Sequence, residues 1–418
     1  MPALHRPLIE HTAAALAAVL EFKYPADAVV SRYLRAHPAI GQQDRAFVAD
    51  NVFAILRRLR LLESLVGGRD PRRLVLAGLM RLHGLSLREL DAVLKGGERD
   101  WLAQLKGRTE DTALAVRCDF PDWLLARLQQ QYGEQELLAL AHSLHKSAPL
   151  DLRINSLKTE REAVLARLAA DGIAAQATPY SPLGVRLEGK PQINRHALFL
   201  EGAIEIQDEG SQLLCQLLAP RRGEMVADFC AGAGGKTLAL GALMRSSGRL
   251  YAFDVSEKRL AGMKPRLARS GLSNVHSQWI ASEGDARLKR LAGKLDRVLV
   301  DAPCTGLGTL RRNPDLKWRQ DESAVAACRA QQERILAAAA KLVKPGGSLL
   351  YATCSLLDDE DAGVVESFLG ANAQFSLQPA NAVLAQQRIP LDTGAYLQLL
   401  PHVHGTDGFF AALLTRNR

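Results

Sequence analysis

The chain reads Asp228-Phe-Cys-Ala-Gly-Ala-Gly-Gly-Lys-Thr237 at the point where an apolar stretch, Met225 to Phe229, gives way to a helical pattern. Small residues at such a turn bring backbone N–H groups against a ligand, because a Cβ atom would obstruct the approach. The segment therefore predicts a strand, a ligand-binding loop and a helix. This unit is typical of a doubly wound, mostly parallel sheet.

The rest of the chain from residue 225 onward supports that interpretation. Short apolar stretches alternate with helical patterns, as they do when parallel strands are joined by crossover helices. No internal repeat or low-complexity tract interrupts them. The predicted strands are Met225 to Phe229, Arg249 to Asp254, Val275 to Ile280, Arg297 to Asp301, Ser348 to Thr353 and a late strand at Gly408 to Leu414.

Two further regions precede this domain. Residues 1–140 show apolar residues at three- and four-residue spacing and predict a helical bundle, whose arginines either grip phosphates or form a solvated face. Residues 141–204 contain an alternating strand, Leu150 to Ile154, a helix near 159–171 and short strands, which predict a small α/β subdomain. The predicted fold is thus α/β, with domains at 1–140, 141–204 and 205–418.

Composition limits the classes of function. With 418 residues, 47% hydrophobic and 23% charged, the chain is too long for one core and has the balance of a globular protein. Its net charge of +8 favours polyanion partners modestly. The six cysteines contain no C-x-x-C pair, which argues against a zinc ribbon and suggests a reducing cytoplasm. Because apolar runs are short, we expect neither a signal peptide nor a membrane span.

Three ligands compete for the small-residue loop. A phosphate-binding loop needs glycine where Cys230 stands, and a G-x-G-x-x-G dinucleotide loop needs glycine where Thr237 stands. S-adenosylmethionine remains, because this sulfonium cofactor has an amino-acid end and an adenosine end but no phosphate. Asp254 ends the next strand and is expected to take the ribose hydroxyls, and Asp285 follows the third strand and is expected near the adenine.

Two cysteines follow the fourth and fifth predicted strands, in Asp301-Ala-Pro-Cys304 and Tyr351-Ala-Thr-Cys354. A single buried cysteine is usually inert, but two at neighbouring strand ends indicate chemistry. Carbon 5 of cytosine becomes nucleophilic when a thiolate adds at carbon 6, after which a base removes the carbon 5 proton. Asp301 is the candidate carboxylate for the base edge. An enzyme that methylates amines would show Asp-Pro-Pro-Tyr here, so the pattern predicts carbon methylation and leaves open which cysteine attacks.

Several motifs together resemble those of one known family. They are Cys230 to Thr237, Asp254 with Arg259, Asp301-Ala-Pro-Cys-Thr-Gly306, Arg311-Arg-Asn-Pro-Asp-Leu-Lys-Trp318, Tyr351-Ala-Thr-Cys-Ser355, Asp407-Gly-Phe-Phe410 and, near the N-terminus, Gln43-Asp-Arg-Ala-Phe47. The chain resembles the Fmu/Sun/RsmB family of bacterial RNA cytosine-C5 methyltransferases over nearly its whole length. The resemblance implies that Cys354 is the nucleophile, that Cys304 assists product release, and that the N-terminal helices form a NusB-like, RNA-binding domain.

The expected site follows from the loop and the resemblance. The catalytic residues are Cys354, Cys304 and Asp301, and no metal is expected. The basic segment Arg311 to Arg319 is expected to neutralise phosphates and to stack a base beside the pocket. The residues expected to bind S-adenosylmethionine are Cys230, Ala231, Gly232, Ala233, Gly234, Gly235, Lys236, Asp254, Arg259, Asp285 and Asp301.

The loop departs from the family's usual Cys-Ala-Ala-Pro-Gly-Gly-Lys, since Gly232 and Ala233 replace Ala and Pro. Loss of the proline raises the entropy of the unfolded loop, so we expect weaker cofactor binding that is not abolished. The expected substrate is 16S ribosomal RNA, with transfer RNA and 23S ribosomal RNA as alternatives. A relic that only binds RNA is the competing class of function, and we expect the protein to be a monomer.

Overall fold

The computed structural model describes residues 3–108 and 113–418, which fall into two compact units. The first unit comprises the described residues up to Ser147 together with the later segment Thr309–Glu322. The second unit comprises Ala148–Gly308 and Ser323–Arg418. No helix within the described ranges is long and apolar enough to cross a lipid bilayer.

This division differs from the predicted boundaries at residues 140 and 204. The helix Glu134–Leu144 spans the first boundary, because Leu137, Leu140 and Leu144 continue its buried face. The helical unit therefore extends to Ser147. The second boundary does not separate compact units, since the small α/β part and the parallel sheet cluster together.

The first unit is helical, as the apolar spacing predicted. Phe47, Val48, Val52, Ile55, Leu56 and Leu59, which set that spacing, are all at most 4% exposed. Predicted breakers end and begin helices: Gly67 closes one in the left-handed region and Pro71 opens the next. The helices are α1 (Arg6–Val19), α2 (Ala26–Ala36), α3 (Gln42–Arg57), α4 (Leu59–Val66), α5 (Pro71–Arg81), α6 (Leu87–Leu90), α7 (Glu98–Gly107), α8 (Leu114–Cys118), α9 (Asp122–Gln131) and α10 (Glu134–Leu144).

Several arginines of this unit are bonded within the unit, and Arg73 keeps an exposed side chain. Four of the five named here donate to a carboxylate or carbonyl oxygen of the same unit. The contacts are Arg58 Nε to Asp119 Oδ2 (2.6 Å), Arg60 Nη2 to Asp122 Oδ1 (2.7 Å), Arg72 Nε to Glu98 Oε1 (2.6 Å), Arg57 Nη2 to Arg311 O (2.9 Å) and Arg73 over the Trp101 ring (5.3 Å).

The second unit begins with the small α/β part. Its strands form an antiparallel sheet in the order β2-β3-β1-β4, and the predicted strand Leu150 to Ile154 is the central β1. The predicted helix is confirmed with slightly shorter bounds. The elements are β1 (Leu150–Ile154), α11 (Arg161–Ala170), β2 (Ala175–Ala177), β3 (Gly184–Leu187), α12 (Ala197–Leu200) and β4 (Ile204–Ile206).

The larger sheet contains all six strands predicted from residue 225 onward. Its order is β10-β12-β9-β8-β5-β6-β7, with β11 paired to β12, and the pairs among β5 to β9 are parallel. The late strand β12 runs antiparallel to β9. The strands are β5 (Met225–Asp228), β6 (Arg249–Asp254), β7 (Val275–Trp279), β8 (Leu295–Asp301), β9 (Val343–Thr353), β10 (Phe375–Gln378), β11 (Leu397–Leu399) and β12 (Phe409–Arg416).

Apolar clusters cover both faces of this sheet. Along β8, Val298 and Val300 belong to one buried cluster and Leu299 to another, because successive side chains of a strand point to opposite faces. Such burial on both sides is typical of a doubly wound sheet. The helices are α13 (Glu209–Leu218), α14 (Gly235–Leu243), α15 (Glu257–Ser270), α16 (Leu316–Arg319, in the first unit), α17 (Glu322–Ala340), α18 (Ala362–Ala371), α19 (Ala380–Gln386) and α20 (Pro401–His404).

Candidate active site

The carboxyl ends of the central parallel strands border a cavity of about 520 Å³. The strand order reverses between β5 and β8, the position at which open α/β sheets bind ligands. Most of the predicted site residues come together here. Those that line the cavity are Cys230, Ala231, Gly232, Ala233, Gly235, Lys236, Asp254, Arg259, Asp301, Cys304 and Cys354.

The loop between β5 and α14 is fixed by close contacts with the next strand and helix. Gly232 N donates a hydrogen bond to Asp254 Oδ2 over 2.8 Å. Gly234 does not line the cavity; its φ is +86°, and a Cβ there would lie 2.5 Å from Met263 Cγ. Glycine at 234 is therefore needed for the turn and for packing against α15, rather than for direct contact with a ligand.

Asp254 lies where the sequence placed it, at the end of β6 and on the cavity wall. It is buried, and its two oxygens accept hydrogen bonds from Gly232 N and, over 2.7 Å, from Ser256 N. Arg259 Nη1 lies 3.7 Å from Oδ2. Each carboxylate oxygen has a second lone pair, so the group remains able to accept hydroxyl donors.

Asp285, by contrast, is not brought into the cavity. It precedes the 3-10 helix Ala286–Leu291, and its carboxylate accepts hydrogen bonds from Ala281 N and Arg287 N, both over 2.9 Å. These bonds cap the helix and turn the side chain toward its own backbone. The acid of this segment that does line the cavity is Glu283, which the sequence argument passed over.

Two buried acceptors of the cavity wall have no hydrogen-bond partner among the described residues. One is Asp228 Oδ1, whose companion oxygen accepts from Thr237 Oγ1 over 2.7 Å; the other is Gln207 Oε1. Burial raises the pKa of Asp228 to about 7. A buried acceptor without a donor is costly unless a ligand supplies one, so this wall suits a ligand with an N–H donor.

The two cysteines meet at the cavity. Cys304 Sγ and Cys354 Sγ are 3.4 Å apart, and Gly308 N donates to Cys354 O over 2.8 Å, which joins the two loops. The hydrogen bond with Cys354, together with burial, raises the pKa of Cys304 well above its usual value. Cys304 therefore stays a thiol and can donate its proton toward the Cys354 sulfur.

Lys236 and Asp301 form an ion pair beside the cysteines, with Nζ and Oδ2 2.7 Å apart. Burial lowers the pKa of Lys236, but the neighbouring Asp301 carboxylate outweighs it, so the net pKa lies above the usual value. The Cys354 sulfur is also among the groups whose charge favours the ammonium. The ring of Phe409, at the start of β12, lies 5.6 Å below the ammonium. Lys236 is thus held as a cation, bonded to Asp301 on the cavity wall that also carries Cys354.

Comparison with known proteins identifies the family. A family model described as 16S rRNA methyltransferase RsmB/F matches residues 215–415, and one described as the RsmF/B-like ferredoxin-like domain matches residues 120–194. A probable ribosomal RNA small subunit methyltransferase B of Synechocystis is 34% identical over 93% of this chain and 95% of its own length. The chain belongs to the RsmB/F family. It is therefore an S-adenosylmethionine-dependent methyltransferase, as the loop and the cysteines predicted.

Further relatives agree with this assignment. The ribosomal RNA small subunit methyltransferase B of Pasteurella multocida is 35% identical over 73% of this chain and 69% of its own length. The protein in the crystal structure of PH0851 has 27% sequence identity to this chain and a TM-score of 0.80. The match covers 98% of this chain and 99% of the PH0851 chain. A methyltransferase homolog protein from Pyrococcus horikoshii is 31% identical, with coverage of 72% and 97% and a TM-score of 0.62. The predicted fold class is confirmed.

The basic motif after Cys304 does not have the place that the sequence suggested for it. Lys317 is buried in the first unit and donates from Nζ to Arg57 O over 3.0 Å, and Trp318 donates from its indole nitrogen to Leu56 O over 3.3 Å. Trp318 also packs against the helical core. The expectation that these two side chains neutralise phosphates and stack a base is wrong, because both are used to hold this RsmB/F segment in the helical unit.

An arginine of α15 bonds the loop residue that stands where the resemblance implies a proline. Arg266 lines the cavity and donates from Nη1 to Ala233 O over 2.8 Å. The same guanidinium donates from Nη2 to Glu205 Oε2 over 2.9 Å, so it is itself anchored to β4. In this RsmB/F chain the loop is thus restrained by a side-chain hydrogen bond at the residue where the family usually has proline.

Proposed function

We propose that this chain methylates carbon 5 of a cytosine in 16S ribosomal RNA. The observation that carries the proposal is the pair of sulfurs, Cys304 and Cys354, held 3.4 Å apart on the wall of the cofactor cavity. Methyl transfer to nitrogen needs no thiol, whereas carbon 5 of cytosine requires a covalent catalyst. The names of the relatives from Synechocystis and Pasteurella, both small subunit ribosomal RNA methyltransferases, support the choice of RNA.

The cavity wall suits S-adenosylmethionine. Asp228 Oδ1 and Gln207 Oε1, the two acceptors of the cavity wall that have no donor among the described residues, would hold the ammonium of its amino-acid end. Asp254 would accept the two ribose hydroxyls, with Arg259 beside it. When bound, the cofactor supplies the methyl group as an electrophile.

The two cysteines have different roles: Cys354 forms the covalent bond and Cys304 donates a hydrogen bond. The Cys354 thiolate adds at carbon 6 of the cytosine, and the electron pair moves to carbon 5, which becomes nucleophilic enough to take a methyl group. A base then removes the carbon 5 proton, and the carbon–sulfur bond breaks as the aromatic ring returns. The Cys304 thiol, 3.4 Å from the departing sulfur, donates a hydrogen bond that stabilises the leaving thiolate.

Asp301 binds the edge of the cytosine base, and Lys236 balances the negative charge of the site. We place the Asp301 carboxylate against the cytosine edge, where it orients the ring for attack. The Lys236 ammonium, 2.7 Å away, keeps that carboxylate in position and offsets negative charge that develops beside Cys354. Lys236 thereby contributes more to the reaction centre than the cofactor contact for which the sequence selected it.

We further propose that the helical unit binds RNA and that the protein is a cytoplasmic monomer without a metal. All six cysteines are free thiols, which suits a reducing compartment. Within the part of the chain that the structure describes, no group of three histidine, cysteine or acidic side chains is placed to hold a metal ion. The mass of the purified protein in solution tests the monomer directly.

A methyl-transfer assay tests the function. Purified protein is incubated with labelled S-adenosylmethionine and, separately, with 16S, 23S and transfer RNA, each transcribed without modification. We expect label in 16S RNA. Bisulfite sequencing should then locate one cytosine that resists conversion to uracil. Label in transfer RNA or 23S RNA alone would replace the substrate, and no label in any RNA, including assembly intermediates of the small subunit, would favour a protein that only binds RNA.

A further inference from the structure

A buried carboxylate lies behind the two cysteine loops. Glu360, in the turn that precedes α18, is fully buried and accepts four hydrogen bonds. Two come from Thr305, through its backbone N (2.9 Å) and its Oγ1 (2.5 Å), one from Ser355 Oγ (2.5 Å) and one from Gln332 Nε2 (3.1 Å). Tyr351 Oη donates to the Glu360 carbonyl over 2.6 Å and fixes the backbone of the turn.

The partners of this carboxylate are the immediate neighbours of the cysteines. Thr305 follows Cys304 in the chain, and Ser355 follows Cys354. One carboxylate therefore binds both loops at the residue next to each sulfur. Rotation of either loop would break at least one of these bonds, and a buried carboxylate that loses a donor is destabilised.

Gln332 of α17 connects Glu360 to the residue on the other side of Cys304. Its Nε2 donates to Glu360 Oε1 and also, over 2.9 Å, to the carbonyl of Pro303, the residue before Cys304. Cys304 is thus flanked by one hydrogen-bonded residue on each side. Backbone bonds from Ala302 N to Ala352 O and from Gly308 N to Cys354 O join the same two segments, and the Glu360 cluster adds side-chain contacts at the residues next to the sulfurs.

We infer that Glu360 is a positioning residue that aligns the Cys304 and Cys354 sulfurs by binding Thr305 and Ser355 at once. Glu360 touches neither sulfur and does not line the cavity among the described residues. After the hydrogen bond with Cys354 and burial, the Glu360 charge is a further cause that raises the pKa of Cys304. Loss of that charge alone would lower this pKa and speed thiol oxidation, whereas loss of alignment slows it, so the two effects of Glu360→Gln have opposite signs. The inference rests on the proposed roles of the cysteines for its consequences in turnover, but the alignment itself is a property of the free protein.

The alignment is measured without RNA or cofactor. Diamide oxidises two neighbouring thiols to a disulfide while its own N=N bond is reduced to a hydrazine, and the rate reports how often the sulfurs meet. In Glu360→Gln the charge is lost and one acceptor oxygen becomes an amide donor, so the bonds that Thr305 Oγ1 and Ser355 Oγ donate to Oε2 must reverse or break, and the charge-assisted cluster is weakened. We expect the Cys304–Cys354 disulfide, identified by peptide mass, to form at least tenfold more slowly than in the unaltered protein.

A matched control separates alignment from general stability. Glu209 is also fully buried, and its carboxylate accepts hydrogen bonds from Tyr180 N and Ser181 N, neither of which belongs to a cysteine loop. Glu209→Gln should lower the thermal midpoint comparably and leave the rate of disulfide formation within twofold. If Glu360→Gln does not fold, Thr305→Val, which removes one hydroxyl donor in the same volume, should slow the reaction about threefold.

Turnover provides the second readout. With RNA and cofactor, Glu360→Gln should lower kcat at least tenfold with little change in KM for S-adenosylmethionine, and a larger share of the protein should remain bonded to RNA on a denaturing gel. A folded Glu360→Gln protein that forms the disulfide at the normal rate would overturn the inference. If Glu360→Gln forms the disulfide slowly but the unaltered protein methylates no RNA, the inference about alignment stands and the proposed function is rejected.

Discussion

Replacing Gly234 with alanine tests whether the backbone conformation of the loop sets the affinity for the cofactor. The φ of +86° forces a non-glycine residue into the left-handed region, which costs about 1–2 kcal/mol. The added Cβ would lie 2.5 Å from Met263 Cγ, and displacing that fully buried side chain costs about 1–3 kcal/mol. If the loop must hold this conformation to bind the cofactor, the dissociation constant rises roughly 30-fold to more than 1000-fold, at about 1.4 kcal/mol per tenfold.

Isothermal titration with S-adenosylhomocysteine measures the loss. Gly262→Ala is the matched control, because Gly262 lies in the neighbouring helix α15 and, apart from its chain neighbours and its own helix backbone, no atom of the described residues comes within 4 Å of its added Cβ. Alanine there should stabilise the helix by about 0.5–1 kcal/mol and leave the affinity unchanged. A Gly234→Ala protein that binds within twofold of the unaltered chain would refute the reasoning, since neither the φ angle nor the Met263 contact would then matter.

Cys354→Ala should abolish methyl transfer and Cys304→Ala should leave a protein–RNA adduct that persists on a denaturing gel; normal turnover by Cys354→Ala would reject the assignment of the nucleophile. Burial raises the pKa of Asp228 from 3.8 to about 7, so the stability that its protonated form contributes is lost as pH rises from about 4 through 7. Urea unfolding without cofactor should show a decline of up to about 4 kcal/mol over that range relative to Asp228→Asn, and parallel curves would contradict it. Burial lowers the pKa of Lys317 from 10.5 to about 8, so the unfolded state binds more protons between these pH values. The free energy of unfolding of the first unit should therefore rise by about 3 kcal/mol from about pH 8 to 10.5, relative to Lys317→Met. Equal pH dependence of the two proteins would show that the Lys317 ammonium is not desolvated.

Most strands of the parallel sheet were predictable because each is a short apolar stretch that ends in an acid or is followed by a cysteine; β7 is the exception, since it ends at Trp279 and is followed by Ile280. Periodicity also found the helices of the first unit, since their buried faces repeat along the chain. It could not find that Thr309–Glu322 belongs to that unit. The contacts that place it there, such as Lys317 with Arg57, join residues far apart in the sequence and leave no local pattern.

Within the site, residue type and order predicted the cavity wall, and tertiary distances decided the rest. Asp285 and Glu283 lie two residues apart in one loop, and only the capping bonds of Asp285 show which of them turns away from the cavity. Asp228 lies inside the motif, but the sequence indicates only that it ends a strand. Its role in the cavity wall is shown by the buried oxygen that has no partner among the described residues. Glu360 carried no signal at all, because its importance comes from donors on two other segments.

The terminal motif Asp407-Gly-Phe-Phe410 becomes intelligible only in three dimensions. Gly408 N donates to Gly308 O over 2.8 Å, and a Cβ on Gly408 would lie 2.8 Å from Gly308 Cα. Gly308 in turn donates to the Cys354 carbonyl. The loop after Cys304, the end of β9 and the start of β12 therefore touch through bare backbone, and a side chain at either glycine would force them apart. Because β12 runs antiparallel to β9, its first residues, rather than its last, reach the cysteines, and the final strand of the sheet is thereby part of the support of the catalytic centre.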